Sequence, residues 1–488
     1  MAGGLIQLVS IGLEDLYLSS EPEITFFKMV YKRHTNFSQE PVKQLFSTSP
    51  DFGKRVSCTL SKTADLLSTC YLFVELPEVP INTNSLIEKF RWTRKIGFNI
   101  INSIELEING KIIDKLYGDW LNIWSLLSVS NDRETEDILI GNLPSLYNSS
   151  NGINSYNLYV PINFFFNRNK GLAIPVIALH LSDIKIHIDF NSLENVLIQT
   201  PTNYIEIEEN ICLFEQGEII KQNYNNFEIE MIFEYFDYKT KRLYYTKYDQ
   251  SFSYYQSTSI INKSNYKIYN EKNYYVMPSS EEVIYSFSYP NLSINQSYLI
   301  LNFIYLDNTE RKKFAQANHE YLITTLQYTG ERKIYNTNTK IKLNFINPSK
   351  EIFWVAQLNK IKNGNIKEKF NYTSNINYNG SNLVLNSQIH HNGQNRSAYF
   401  DKFFYNYIKS YLFHSNTIEE GINMYSFSID PENYQPRGSC NFTKIEDIVL
   451  DLNLSTLVSY ENPILLRVYN LSYNIFRINN GLAGLTFI

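Results

Sequence analysis

The side chains in this sequence that could do chemistry are seven histidines, four cysteines and a few close carboxylates. Their spacing decides which chemistry is open to them. A histidine metal centre on a β-scaffold needs two imidazoles on one strand face, as in a His-x-His pair, with a carboxylate beside them. His180 and His187 are too far apart for that, and His390 and His391 are adjacent and so point to opposite faces. His319-Glu320 is not followed by the second histidine that a zinc protease needs at helical spacing. Gly481-Leu-Ala-Gly484 lacks the Lys-Ser/Thr of a phosphate loop and reads as a tight turn before a final strand. No Gly-x-Ser-x-Gly elbow occurs. Glu105 and Glu107 share a strand face, where their spacing suits solvent exposure better than acid/base work. Cys58, Cys70, Cys212 and Cys440 contain no Cys-x-x-Cys pair, which argues for reduced thiols over a zinc module or disulfide framework. No catalytic residue, metal ligand or cofactor site is assigned, and the chain is expected not to be an enzyme.

The elements around these residues are strands. Ile104, Leu106 and Ile108 alternate with polar residues and run into Asn109-Gly110, a strong two-residue hairpin signal. The same period of two recurs at Ile184, Ile186, Ile188 and Phe190, at Ile341, Leu343 and Phe345, and at Leu450, Leu452 and Leu454. One helix is expected from Asp119 as N-cap through Trp120, Leu121, Trp124 and Leu127, packed over a sheet edge. With 488 residues the chain exceeds the ~250–300 at which one core stops growing, so two domains are expected. A hydrophobic share of 43% against 19% charged excludes a disordered chain, and 38 Tyr with 31 Phe point to an aromatic β core. Many short strands with few helices mean sandwiches or barrels, without fixing their strand order.

A net charge of −5 leaves no basic field for a nucleic-acid backbone, so direct nucleic-acid binding is not expected. No apolar run approaches the ~18–20 residues that span a bilayer. Leu5 to Leu13 is interrupted by Gln7 and lacks a basic flank, a poor signal peptide, and Ala2 removes the myristoylation reading.

Two end motifs go further. Gly3-Gly-Leu-Ile-Gln-Leu-Val9, Asp15-Leu-Tyr-Leu18 and Pro22 to Phe37 open the chain; Gly421 to Ile445 and Tyr473 to Phe487 close it. Together they resemble the major capsid proteins of nucleocytoplasmic large DNA viruses. The resemblance implies an all-β fold of two tandem eight-stranded jelly rolls with a large loop insertion in the first. The expected divisions are an N-terminal arm over 1–24, a first roll over 25–317 and a second over 318–488. Family members join Ala178–Phe190 to the Leu301 motif by a short connection, so 191–298 is read as the insertion, carrying its own strands and projecting as a tower. Leu301 to Gln316 followed by His319-Glu-Tyr-Leu-Ile323 resembles the passage between rolls, with Asp307, Glu310, Arg311, His319 and Glu320 in that connection and Glu310 and Arg311 tying the rolls together. Phe353, Trp354 and Val355 should be core.

Function by this resemblance lies in surfaces. Three copies would form a pseudo-hexagonal capsomer tiling an icosahedral virion shell, with neighbouring capsomers, penton and minor capsid proteins as partners, assembled in the host cytoplasm. The arm, through Leu5, Ile6, Leu8, Leu16 and Tyr17, would run beneath the capsomer and face minor capsid proteins or an internal membrane. Among the sequons at Asn291, Asn295, Asn371 and Asn395, the candidates for glycosylation are Asn291 and Asn295, because the insertion is accessible. The alternatives are a minor or paralogous capsid or scaffold protein of this fold, allowed by Arg437 where the family has a small residue, or a jelly-roll lectin stacking glycans on tyrosines.

Overall fold

The computed structural model describes residues 34–83, 87–128, 133–224, 227–247, 267–285, 290–416 and 418–487. The arm residues Leu5, Ile6, Leu8, Leu16 and Tyr17, and Tyr248, Tyr254 and Tyr255 of the insertion, lie outside the described residues.

The first half builds eight strands: β1 (Phe37–Gln44), β2 (Arg55–Thr59), β3 (Leu66–Leu76), β4 (Ile101–Ile108), β5 (Lys111–Tyr117), β6 (Tyr156–Pro161), β7 (Ile184–Phe190) and β8 (Gln296–Leu306). They pair antiparallel in the orders β1-β8-β3-β6 and β2-β7-β4-β5. Those two orders facing one another are the jelly-roll winding. The second half repeats it with β9 (His319–Tyr328), β10 (Asn338–Lys342), β11 (Pro348–Leu358), β12 (Val384–His391), β13 (Gln394–Asn395), β14 (Ile422–Ser426), β15 (Ile448–Leu454) and β16 (Ile464–Asn479). Their orders are β9-β16-β11-β14 and β10-β15-β12-β13. A last strand, β17 (Leu482–Leu485), folds back on β16.

Local chemistry sets the turns. Asn109 and Gly110 both take positive φ, 53° and 76°, the conformation that a two-residue hairpin needs between β4 and β5. Asn480 and Gly481 do the same between β16 and β17, at 51° and 79°, so Gly481 makes the turn before the final strand while Gly484 lies inside that strand opposite Arg477.

Strands β7 and β15 alternate buried and more exposed side chains, whereas β4 is buried without a break from Ser103 to Leu106 and β11 and most of β16 are buried on both faces. Ile352, Trp354, Ala356, Ile464, Leu466 and Val468 point into the second roll's core. Phe353, Val355, Tyr469 and Leu471 belong to the core of the first. The sheet β9-β16-β11-β14 is thus a wall shared by two cores, and a wall wetted on neither face has no polar period.

Helix α1 (Gly118–Ser128) forms where expected, with two differences. Asp119 lies inside its first turn and not at an N-cap position. The helix also packs between the rolls, with the Trp120 ring 5.3 Å from Phe353 and 5.6 Å from Tyr469, because its apolar face needs the second roll's wall to cover it.

Residues 203–284 form a seven-stranded sheet of their own, with Ile205, Met231, Phe233, Leu243 and Tyr245 in its core. The expected bounds of 191–298 reach into the roll at both ends. Leu197–Thr200 pairs with Lys89–Trp92, and β8 starts at Gln296 because it must reach Glu75 to pair along β3. The sheet also leans on the second roll: Ile219 and Ile232 pack on its core, and Asn365 Nδ2 donates to Lys247 O at 2.9 Å. Tyr285 N donates to Thr202 O at 2.8 Å, so the ends of the inserted sheet meet. Excising 203–284 with a short linker is expected to leave one cooperative thermal transition by circular dichroism. Excising 191–298 removes the start of β8 and should abolish soluble protein.

Candidate functional site: the seam between the rolls

Where α1 of the first roll meets β16 of the second, a half-buried carboxylate of the first roll sits among partners drawn from the second. Asp119 Oδ1 accepts from the Tyr372 hydroxyl at 2.6 Å, and Oδ2 from the Tyr469 hydroxyl at 2.6 Å. Arg467 Nη1 stands 3.1 Å from Oδ1, and Nη2 donates to Gln357 Oε1 at 2.7 Å. Burial, with the Asp119 charge beside them, pushes both tyrosine hydroxyls well above their ordinary range. Tyr469 stacks on Tyr328 at 4.8 Å, and Tyr117 of β5 meets Tyr328 edge-on. An ion pair so enclosed adds little net stability against an apolar pair of the same shape, yet it fixes one relative placement, since any other leaves a charge unpaired.

Three further cross-links flank it. Arg168 Nη2 donates to Thr324 O of β9 at 2.8 Å, with its guanidinium 5.1 Å from the Trp124 ring. Arg91 meets Glu368 at 2.9 Å and donates to Ile366 O at 2.9 Å, and Glu368 also accepts from the Tyr378 hydroxyl. Buried Asp114 of β5 accepts from Leu326 N of β9 at 3.4 Å, and burial pushes its pKa up to about 6. These groups position and lock; they hold no nucleophile beside a base.

The residues singled out in the sequence lie elsewhere. The connection is helix α2 (Asn308–Gln316), with Asp307 just ahead of it accepting from the Thr309 hydroxyl. Glu310 accepts from the Thr35 hydroxyl, and Arg311 Nε pairs with Asp65 Oδ1 at 2.9 Å. Both partners precede the connection, so Glu310 and Arg311 pin α2 to the first roll and do not tie the rolls together. His319 bonds Phe314 O at 2.7 Å, and Glu320 pairs with Arg477 at 2.7 Å within the second roll. Asn291 and Asn295 are exposed and lead into β8, while Asn371 is fully buried, its amide donating to Asn375 O and Ile376 O.

Glu105 corrects an expectation. It is 3% exposed, because Arg55 at 2.5 Å and Lys115 at 2.7 Å close over it from neighbouring strands. Glu107 instead bonds His187 at 3.0 Å. Arg437 pairs with Asp430 at 2.9 Å. All four cysteines are free thiols, and burial pushes Cys58 and Cys212 up to about 11. Among the described residues no cluster of three His, Cys, Asp or Glu side chains could hold a metal. The seam itself escaped sequence reasoning. Its one local signal is Arg467, a charge inside the apolar run Ile464-Leu-Leu-Arg-Val-Tyr469.

Residues 25–238 match the family described as major capsid protein N-terminus, and residues 310–484 match the large eukaryotic DNA virus major capsid protein family. The chain is 40% identical over 512 residues to probable capsid protein 4 of Acanthamoeba polyphaga mimivirus, covering 100% of this chain and 99% of that protein. It is 28% identical to the major capsid protein of Phaeocystis pouchetii virus, with 100% of each covered. In three dimensions it is similar to the Faustovirus major capsid protein, with a TM-score of 0.67 and 13% identity over 96% of this chain and 94% of that one. Against PBCV-1 VP54 the TM-score is 0.63 with 22% identity, over 95% and 100%. These structures carry the fold, two jelly rolls in tandem; the sequence relatives carry the role. The chain belongs to the major capsid protein family of large eukaryotic DNA viruses and is a structural protein of the virion shell.

Proposed function

We propose that three copies of this chain form a pseudo-hexagonal capsomer that tiles an icosahedral shell, and that the chain has no enzymatic activity. The observation that carries this reading is the repeated winding locked by the buried seam: each copy is a rigid pair of like blocks, and three pairs give six corners. Exposed apolar side chains suit contacts between copies. Phe403, Tyr407, Ile408, Tyr411 and Leu412 stand out from one helical excursion of the second roll, with Tyr411 78% exposed.

In this reading the divisions are an arm over 1–24, a first roll over 25–317 and a second over 318–488. The arm faces minor capsid proteins or an internal membrane, neighbouring capsomers and pentons complete the shell, and assembly takes place in the host cytoplasm. The inserted sheet faces outward, with Asn291 and Asn295 as glycosylation candidates. Light scattering after size exclusion should give a mass near three times 57.2 kDa. A stable monomer at micromolar concentration would sink the capsomer reading. One observation favours a second reading, a secondary capsid paralogue: the relative at 40% identity is named probable capsid protein 4.

A further inference from the structure

Beside the Asp119–Arg467 pair a cleft of about 240 Å³ opens between the rolls. The first roll lines it with Asn102, Tyr117 and Asn191, and the second with Tyr328, Lys362 and Lys369. Its charges do not balance. Lys362 is taken up by Glu331 and Arg467 by Asp119, while Lys367 donates to Glu194 O. Lys369 has no hydrogen bond or ion pair to any described residue, although it is largely buried. Burial, together with Lys362, Lys367 and Arg467 nearby, pushes its pKa down to about 8. The charged groups around the cleft are thus four cations against Asp119, Glu331 and Glu194. A second observation points the same way: Arg467 is 3% exposed, and its Nε has no hydrogen bond. The Tyr117 and Tyr328 hydroxyls also make no hydrogen bond to a described residue, so neutral donors line the cleft beside the cations.

We propose that this cleft binds a phosphate-type oxyanion, which Lys369 and the Tyr328 hydroxyl of the second roll and the Tyr117 hydroxyl of the first hold against Arg467, bridging the two rolls. A buried cation without a partner costs stability, and an oxyanion with several acceptor oxygens satisfies cations and hydroxyls together. An oxyanion bound there adds a further cross-link between the rolls.

The test is thermal unfolding and calorimetric titration of the full chain with inorganic phosphate, with ionic strength held constant by sodium chloride. Phosphate should bind saturably at one site per chain and raise the unfolding temperature. In Lys369→Gln the affinity should fall at least about tenfold, the worth of one charge-assisted hydrogen bond. Without phosphate that variant should unfold no earlier than the unsubstituted chain, because it removes an uncompensated charge. Tyr328→Phe keeps the ring and should weaken phosphate binding by a smaller factor, while Lys333→Gln, on the exposed surface, should change nothing. Titration with adenosine monophosphate separates the sources of the group: tighter binding than phosphate marks a nucleotide, weaker binding a free ion. No saturable phosphate effect, the same effect in Lys369→Gln, or an earlier unfolding of phosphate-free Lys369→Gln would overturn the proposal.

Discussion

Asp119→Ala is expected to cost about 3–5 kcal/mol of folding stability, the range for removing one partner of a buried ion pair. The loss is large because three groups are stranded at once. Arg467, 3% exposed, loses the carboxylate at 3.1 Å, and the Tyr372 and Tyr469 hydroxyls lose their acceptor. Glu331 Oε2, 3.9 Å from Arg467 Nε, is too distant to take over. Urea unfolding should show the midpoint falling, with the two rolls separating into distinct transitions as the seam loosens. Asp119→Leu combined with Arg467→Met should recover part of the loss, since an apolar pair pays no desolvation, while the Tyr372 and Tyr469 hydroxyls stay without their acceptor. A single-substitution loss below about 1 kcal/mol would mean that water already reaches the pair and that the seam does not depend on it.

How much of this was legible in the sequence follows the range of the interactions. The Asn109-Gly110 hairpin, the alternation in β7 and β15, and α1 depend on neighbours a few residues away, and all were readable. Asp119 looked like a helix cap because caps are local, whereas its true partners lie about 250 and 350 positions further on. Glu105 sits at a position that period two marks as outward. It is buried only because Arg55 and Lys115 reach it from other strands, which no single-strand pattern encodes. The start of β8 was hidden by composition: Gln296, Ser297 and Tyr298 continue the polar, tyrosine-rich character of the insertion while already pairing with Glu75, Val74 and Phe73. Asn371 shows the converse error, a surface motif by sequence that is spent on buried backbone carbonyls.

Stability should also peak in mildly acidic solution and decline on the alkaline side through one histidine. His414 lies 2.9 Å from Glu351 Oε1 and 3.3 Å from Glu432 Oε1, its side chain 2% exposed. Burial opposes a charge on the ring, but the Glu351 carboxylate and the hydrogen bonds that the ring donates to both glutamates outweigh it and raise the pKa from 6.5 to about 9. Glu432 is held down to about 2, chiefly by its hydrogen bond to His414. Lys350, next to Glu351 on β11, is lowered by burial, so the cluster holds one cation that burial strains beside the one its carboxylates stabilise. A raised folded pKa contributes stability that is complete below about pH 6.5 and is lost as pH climbs through 9; for His414 the amount is about 3 kcal/mol. The depressed Glu432 acts in the opposite sense, contributing fully above about pH 4.5 and fading as pH falls towards 2.

The two windows overlap between about pH 4.5 and 6.5, where the cluster is worth most. Denaturant unfolding of the unsubstituted chain from pH 6 to 8, below the window in which the lowered Lys369 gains stability, should therefore show a falling limb, and His414→Gln should flatten it by removing the titrating group. An unsubstituted chain as flat as the variant would show that the imidazolium does not form. The limb should be visible in assembly as well. His414 closes the short helix Lys409–Phe413, and Ser415 N donates to Glu432 Oε1 at 2.8 Å, so this cluster fastens the exposed Tyr411 and Leu412 surface to the Glu351 strand of the seam wall. Loss of the ring charge should free that surface before the rolls unfold. Dissociation of the proposed trimer should then set in as pH approaches 9, where the ring of the folded chain loses its proton, and His414→Gln, which carries no ring charge, should dissociate without that pH dependence.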